Sequence, residues 1–556
     1  MSHFIFAVAW LLPNHYPPWV NFHSELLAFL GLAFLVLAWL RQTQQKLAAT
    51  SVVVAVLLLA AVPWAQYFAG LGFFAGDAFI SSFFSVAFAL AIALGHAHAN
   101  PRSAAPAAVW LLPSQVLLTA ALASGLLAIF QWLSLTDSFI TFMTPTDVGD
   151  RAMANLGQPN QLGTLLLMGL AALVLLFEFL KISQLLLMLG AAFLTWAIVL
   201  TESRTAMLSA LVMAGFLLYK IRARRFSGVP LRLQNLHIVL WLSLFCLAVL
   251  SLPWVNSALL LAADRDMALL NNNGRIVIWL QTLYAISESP WFGYGWNQSP
   301  VAQAVGALYY PGELAFTNAH NIVLDLVAWV GLPLGLLVTA SFTYWLYVRV
   351  KAVQSAEGIC AMAMLLPLLV HSMLEFPFAY AYFLLMAGLL MGVIEAACGA
   401  RTPYYLSKRT VAVALASLTA VGIYSAYEYL LIEEDYRVAR FENLRFGATP
   451  ADYTPPNIVV HTQMAALLTA LRQPAVRGMD NVQMERLRKV SFRFGLRPLV
   501  FRYAVALGLN GQPAAADRQM QVFRGMFGER AYQRFKTEIR TLQAEKYPEL
   551  GNLKLP

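Results

Sequence analysis

The stretch FTNAHNIVLDLVAWVGLPLG, residues 316–335, sets His320 and Asn321 side by side at the start of an apolar run. A polar side chain on a membrane helix has to be concealed or used. The pair is therefore either a packing feature or the beginning of a reaction site. Three other stretches pose the same choice. ANLGQPNQLGTLL (154–166) enters an apolar segment through Asn155, Gln158 and Asn160, and LTESRTAML (200–208) places Glu202, Ser203 and Arg204 in a short connection. HSMLEFPFAYAYF (371–383) carries His371, Glu375, Tyr380 and Tyr382, while Arg275, Gly293, Gly295 and Trp296 precede His320 in its own connection. The arginines are the most informative members. A guanidinium presents a planar fork of permanently charged donors that fits phosphate oxygens bidentately. Arg204 and Arg275 thus suit a diphosphate held at a lipid headgroup, and arginines can neutralise a departing diphosphate electrostatically. No HExxH motif accompanies them, and the reading includes neither a metal nor a cofactor.

Each residue also has a structural reading. Asn155 and Asn160 could cap helices. Arg204 could snorkel to headgroups, although a tight hairpin beside Glu202 favours a buried or ligand-facing role. His371 and Glu375, four apart, share one helix face and could pair with each other. Tyr380, Tyr382, Trp279 and Trp296 could belong to an interfacial aromatic belt. What favours chemistry is that all the clusters fall on one side of the chain's alternation of loops.

That alternation comes from the elements that must position them. The 556 residues are 60% hydrophobic, 12% charged and have a mean hydropathy of +0.64, where a soluble protein carries about a quarter charged residues. Apolar runs of bilayer-crossing length recur, about thirteen in all: 3–20, 24–40, 50–68, 78–97, 108–133, 160–180, 185–200, 204–219, 236–254, 321–347, 357–372, 377–396 and 409–431. The first is broken by Pro13, Pro17 and Pro18; it lacks a basic start and a cleavage site, and reads as an uncleaved anchor. The fold class is an all-α polytopic membrane protein.

Arg41, Lys46, Arg102, Lys181, Lys220, Arg222, Arg224, Arg225, Arg232, Arg349, Lys351, Arg401, Lys408 and Arg409 fall in alternate connections, against Arg151, Arg204, Arg265 and Arg275 in the others. The basic set marks the cytoplasmic side. The 255–320 connection and the region after 432 are then placed outside, in the periplasm of a Gram-negative cell. The net charge of +9 divides between those loops and the C-terminal region. No basic helix carries interleaved aromatics, so nucleic acid is not an expected partner. Cys246, Cys360 and Cys398 lie within apolar segments and read as small fillers.

Two domains are expected, a transmembrane bundle over 1–432 and a helical domain over 433–556. Within the latter, PLVFRYAVALGLNGQPAAADRQMQVFRGMF (498–527) reads as two amphipathic helices joined at Asn510-Gly511-Gln512-Pro513, either a helical-repeat unit of the tetratricopeptide kind or a plain hairpin. The long 255–320 connection has an apolar periodic helix from Ile276 to Ile286 and then a Gly-aromatic turn, which predicts an ordered cap on the outer face of the bundle.

NAHNIVLDLVAWVGLPLG resembles the signature of the O-antigen ligase and polymerase superfamily, in which ESRTAML, NGRIVIW with GYGWN, and HSMLEFPFAYAYF recur in the same order. LLPNHYPPWVNFHSELLAF, LGQPNQLGTLL and the size of the C-terminal region resemble the bacterial protein O-oligosaccharyltransferases, the ligases of pilin and general O-glycosylation. Gln161 stands where that family often has His or Asn. The resemblance covers nearly the whole chain. It implies a glycosyltransferase of GT-C-like architecture in the inner membrane, moving a preassembled glycan from undecaprenyl diphosphate to Ser or Thr hydroxyls of an acceptor protein such as pilin. Carried over by motif, His320 is the base or activating group, and Gln158 and one of Tyr380 and Tyr382 are essential site groups. Arg204 and Arg275 hold the diphosphate, with Asn321, Asn160, Glu375, His371 and Trp296 in support. Imidazole titrates near neutrality and can accept a hydroxyl proton. The diphosphate already activates the anomeric carbon, so a single inverting, metal-independent displacement is expected. An O-antigen ligase acting on lipid A-core, or a polymerase, is the alternative within the superfamily. A transporter would instead show midplane polar residues and broken helices in corresponding halves, and no internal duplication is found.

Overall fold

The computed structural model describes residues 2–42, 46–99, 106–136, 141–147, 149–226, 231–261 and 273–555. Among these, the sole sheet is a two-stranded antiparallel ribbon that pairs Leu47–Ala49 with Tyr404–Leu406. Everything else of regular structure is helical. Nine described helices are long and apolar enough to cross a membrane, and Gln184–Leu200, Ala356–Ser372 and Ala381–Ala397 are shorter apolar helices. Together they fall on every expected segment but the first. Segment 3–20 holds only the helix Ser2–Val8 before irregular chain. Pro13, Pro17 and Pro18 lack the N–H that a helix interior needs, so no helix of spanning length forms there.

The chain divides into two compact units. The first comprises Met1–Leu58, Phe84–Asp266 and Thr343–Ala420. Helix Pro159–Phe179 runs through its middle, packed against Pro106–Trp132, Gln184–Leu200, Arg204–Phe226 and Ala356–Ser372. Of its apolar window, 89% is buried, against 11% for Lys408–Leu444, which identifies it as the core helix; its sequence is apolar on every face, as a helix surrounded by others must be. Gly169 permits its closest approach, since a Cβ there would collide with the Cβ of Ala121. Small residues at such crossings let helices pack without a hydrophobic drive between them.

The second unit comprises Leu59–Phe83, Met267–Phe342 and Val421–Pro556. Its core joins helices Arg497–Leu509 and Pro513–Glu545 to Leu467, Ala470, Leu487 and Val490 of the two preceding helices, and to Ala304 and Ala307. The turn between the two long helices is Asn510-Gly511-Gln512, with Gly511 left-handed at φ 74°. The second of them breaks at Gly528 (φ 81°, ψ 169°), one residue past the expected end of the hairpin, and then resumes. Residues 273–320 of the 255–320 connection belong to this unit and carry helices Asn273–Glu288 and Ser299–Gly306. Gly312 N–H donates to the Gly525 carbonyl at 2.7 Å, and Arg493 donates to both oxygens of Asp77 at 2.8 Å each.

The expected segment 321–347 is helix Ile322–Ala352, broken at Gly331 (φ 81°, ψ 167°). A break inside an apolar helix frees carbonyls that lipid cannot satisfy. Here Tyr294 and Gly295 donate their N–H groups to the Ala328 and Trp329 carbonyls at 2.8 and 3.1 Å. Gln66 Nε2 donates to the Trp329 carbonyl at 2.8 Å. The Gly-aromatic turn therefore closes the broken helix.

Candidate active site

In the first unit the polar groups gather where helix Pro159–Phe179 begins. Gln158 is its N-cap, accepting from the Gln161 N–H through Oε1 at 2.7 Å, with Pro159 at the first helical position. Capping is thus the work of Gln158, not of Asn155 or Asn160. Asn155 instead fastens separate backbone segments. Its Nδ2 donates to the Leu11 and Phe142 carbonyls at 2.7 and 2.8 Å, and its Oδ1 accepts from Thr144 N–H at 3.0 Å.

Asn160 is buried in the first turn. Its Oδ1 accepts from Ser203 Oγ at 2.6 Å and from Arg151 Nη2 at 3.4 Å, and its Nδ2 donates to Glu375 Oε1 at 3.4 Å. Arg151 Nε donates to the Thr201 carbonyl at 2.8 Å, and Thr164 Oγ1 bonds His371 Nδ1 at 2.9 Å. These bonds join the three polar stretches at 154–166, 200–208 and 371–383 into one buried network. Such networks hold a single geometry when their members are satisfied.

Tyr382 is 2% exposed, packed edge-on against Trp10, and donates to Gln161 Oε1 at 3.0 Å. Tyr380 stacks on it at 5.6 Å and 17° and is only half-buried. Tyr382 is therefore spent on internal structure, and Tyr380, which also stacks on Phe376 at 6.0 Å, is the more accessible member of the pair. Arg204 opens helix Arg204–Phe226 and is exposed, so of its possible roles burial drops out.

In the second unit His320 sits in the left-handed region at φ 54° and is half-buried. Asn321 follows as a cap, its Oδ1 accepting from the N–H groups of Val323 at 3.0 Å and Leu324 at 3.2 Å. One turn on, Asp325 is fully buried and accepts from Ala319 N–H at 2.8 Å and Ser299 Oγ at 2.7 Å. Trp329 Nε1 donates to Ser299 Oγ at 2.7 Å, and Trp279 Nε1 to the Ala319 carbonyl at 3.1 Å. Trp279 and Trp329 are thus hydrogen-bonded scaffolding. Trp296 packs against Trp329 at 5.5 Å and donates its N–H to Gln66 Oε1 at 2.8 Å. Tyr294 donates to the Ala285 carbonyl at 2.7 Å; burial, with the Glu288 charge, pushes its hydroxyl up to about 12, so it stays a donor. Arg275 is half-buried on helix Asn273–Glu288.

The expected site residues are therefore shared between the units. Gln158, Asn160, Arg204, His371, Glu375, Tyr380 and Tyr382 lie in the first, and Arg275, Trp296, His320 and Asn321 in the second. Residue-type reasoning passed over Arg151, Gln161 and Thr164 in one, and Gln66, Ser299 and Asp325 in the other. Asp325 carries a visible signal, being the only acid in the apolar run after Asn321. Among the described residues no three His, Cys, Asp or Glu side chains come together as a metal cluster. The sequence does contain one acidic triplet of the D-x-D kind, Asp264-Arg265-Asp266, which lies outside the described residues.

Three family models match successive parts of the chain: protein glycosylation ligase at 152–177, O-antigen ligase at 189–339, and the C-terminal region of a virulence factor membrane-bound polymerase at 359–540. With the apolar helices they define a multi-pass membrane glycosyltransferase of the O-antigen ligase superfamily. The chain is 30% identical over 529 residues to the general O-oligosaccharyltransferase of Acinetobacter baylyi, covering 93% of this chain and 90% of that protein. It is 29% identical over 396 residues to the ComP-specific O-oligosaccharyltransferase of the same organism, covering 70% of each. The chain belongs to the protein O-oligosaccharyltransferase family, the O-glycosylation ligases.

Proposed function

We propose that the chain transfers a preassembled oligosaccharide en bloc from undecaprenyl diphosphate to Ser or Thr hydroxyls of acceptor proteins, pilins among them, at the periplasmic face of the bacterial inner membrane. The near-full-length identity to the general O-oligosaccharyltransferase carries this reading. Its name gives an oligosaccharide as the group moved and oxygen as the atom that receives it. The charge asymmetry of the loops supports the orientation.

In the proposed reaction the acceptor oxygen attacks the anomeric carbon while the bond from that carbon to the diphosphate oxygen breaks, with inversion. The hydroxyl proton passes to His320, because a neutral hydroxyl is a poor nucleophile and imidazole accepts protons near neutrality. The leaving diphosphate departs with both electrons of the broken bond, and the guanidiniums of Arg204 and Arg275 hold it. Gln158 and Tyr380 orient donor and acceptor, while Asn160, Glu375, His371 and Asn321 keep the supporting backbone in place. Trp296 supports the turn that closes the broken helix. No metal is assigned a step.

The deciding experiment is a transfer assay with purified protein, polyprenyl-diphosphate glycan and a Ser-rich acceptor protein, in EDTA. The expected result is a glycan-sized mass increase on the acceptor that resists EDTA and is lost in His320→Ala. The O-antigen ligase model over 189–339 favours a second reading, transfer to lipid A-core. That reading takes over if lipid A-core is decorated while protein is not.

A further inference from the structure

We propose that Asp325 is the positioning residue of His320, fixing with Ser299 and Trp279 the peptide segment from which the imidazole projects. The inference rests on the reading of His320 as the group that takes the acceptor proton.

A carboxylate buried in the first turn of an apolar helix is costly and calls for a reason. Helix capping is not that reason, because Asn321 already serves the first free N–H groups. The Asp325 bonds run backwards instead. Its Oδ1 accepts from the N–H of Ala319, the residue immediately before His320, and from Ser299 Oγ. Ser299 is fixed in turn by Trp329 Nε1 on the same helix as Asp325. The other polar group of Ala319, its carbonyl, accepts from Trp279 Nε1 on helix Asn273–Glu288. Both polar groups of Ala319 are thus held by side chains from two helices, and Asn321, on the other side of His320, is held by accepting from the N–H groups of Val323 and Leu324. Between these anchors His320 adopts φ 54°, a left-handed conformation that a residue with a Cβ keeps only when its surroundings impose it. Strain of this kind at one residue, with hydrogen bonds on either side of it, is how a backbone aims one side chain.

The test measures kcat, KM and melting temperature of the full-length protein carrying Asp325→Ala, Asp325→Asn, Trp279→Phe, His320→Ala, and the Asp325→Ala/His320→Ala pair, with the lipid-linked glycan and acceptor protein named above. Asp325→Ala should lower kcat by ~100-fold with KM little changed, the scale of a misplaced reacting group. Asp325→Asn keeps an oxygen that accepts from Ala319 and Ser299, so it should recover most of that loss. Trp279→Phe keeps the packing but removes the donor, and should lower kcat by roughly tenfold. In the His320→Ala background Asp325→Ala should lower the residual rate no further, because it acts through the missing imidazole. Wild-type kcat in a folded Asp325→Ala or Trp279→Phe protein overturns the proposal, as does an equal further loss in the His320→Ala background. If Asp325→Ala does not fold, Trp279→Phe decides alone. Wild-type kcat in His320→Ala removes the reading of His320 and this inference with it. An inactive His320→Ala beside fully active Asp325→Ala and Trp279→Phe removes this inference only.

Discussion

His320 shows how a single backbone angle links stability to chemistry. A left-handed φ costs a residue with a Cβ about 1–2 kcal/mol, a cost glycine avoids. His320→Gly should therefore be the more stable of two inactive variants, exceeding His320→Ala by about 1 kcal/mol. Paired denaturation curves in one detergent check the order. At the neighbouring residue the expectation reverses: Asn321→Ala removes the cap bonds to Val323 and Leu324 and should destabilise by about 1 kcal/mol. Tyr382 is a third kind of case. Tyr382→Phe strips the donor from Gln161 Oε1 in a buried setting, and should cost about 1–3 kcal/mol of stability. If Tyr382→Phe abolished transfer at unchanged stability, Tyr382 and not Tyr380 would be the tyrosine that meets substrate. The residue types of this site were readable from sequence, because polar groups stand out in apolar runs. Their assignments were not: Asn155, Asn160 and Gln158 are alike in composition, and only folding makes one a fastener, one a network hub and one a cap.

The elements with most at stake are those joining Lys408–Leu444 to the C-terminal helices. Arg472 bonds Asp435 through two nitrogens at 2.7 and 2.8 Å and Glu442 through Nε at 2.7 Å, with Asp435 1% exposed. Removing one partner of a buried pair strands the other charge, so Arg472→Ala should cost about 3 kcal/mol, read as loss of the C-terminal transition on melting. The same junction carries a pH dependence. His461 is buried and bonds Ser425, and burial lowers its proton affinity below the ordinary histidine value. The unfolded chain then binds the proton more readily, so this contribution is complete above the unfolded value of about 6.5 and declines as pH falls through it. Melting temperature should fall between pH 7.5 and 5.5, and His461→Gln should flatten that slope. The apolar helices and the 498–527 hairpin are legible because hydrophobic period and turn residues are local signals. The break at Gly331 is not. A glycine in an apolar run is unremarkable until carbonyl partners arrive from Gln66, Tyr294 and Gly295, which lie far away in the chain.

At the scale of the whole molecule the orientation decides whether the proposed reaction is accessible to its acceptor. Loop charge assigns the Lys351 connection to the cytoplasm and the region after 432 to the periplasm. Both assignments concern exposed positions that single cysteines can report, Lys351→Cys and Arg530→Cys, in a background where Cys246, Cys360 and Cys398 are replaced. A maleimide that cannot cross the inner membrane should label Arg530→Cys in intact spheroplasts and Lys351→Cys only after the membrane is opened. The opposite pattern would put the C-terminal helices, and with them the acceptor, on the cytoplasmic side. Labelling of both sites in intact cells would mean that the number of crossings between 351 and 530 is even. Helices Ala356–Ser372, Ala381–Ala397 and Lys408–Leu444 lie in that interval. With Lys408–Leu444 crossing, the odd count requires that the first two, at 17 residues apiece, either both cross or both stay on one side. Seventeen residues rise about 25 Å, slightly short of a hydrocarbon core of about 30 Å. Where both cross, the flanking turns must therefore complete each crossing, and a failure of one helix alone is what labelling of both sites in intact cells would reveal.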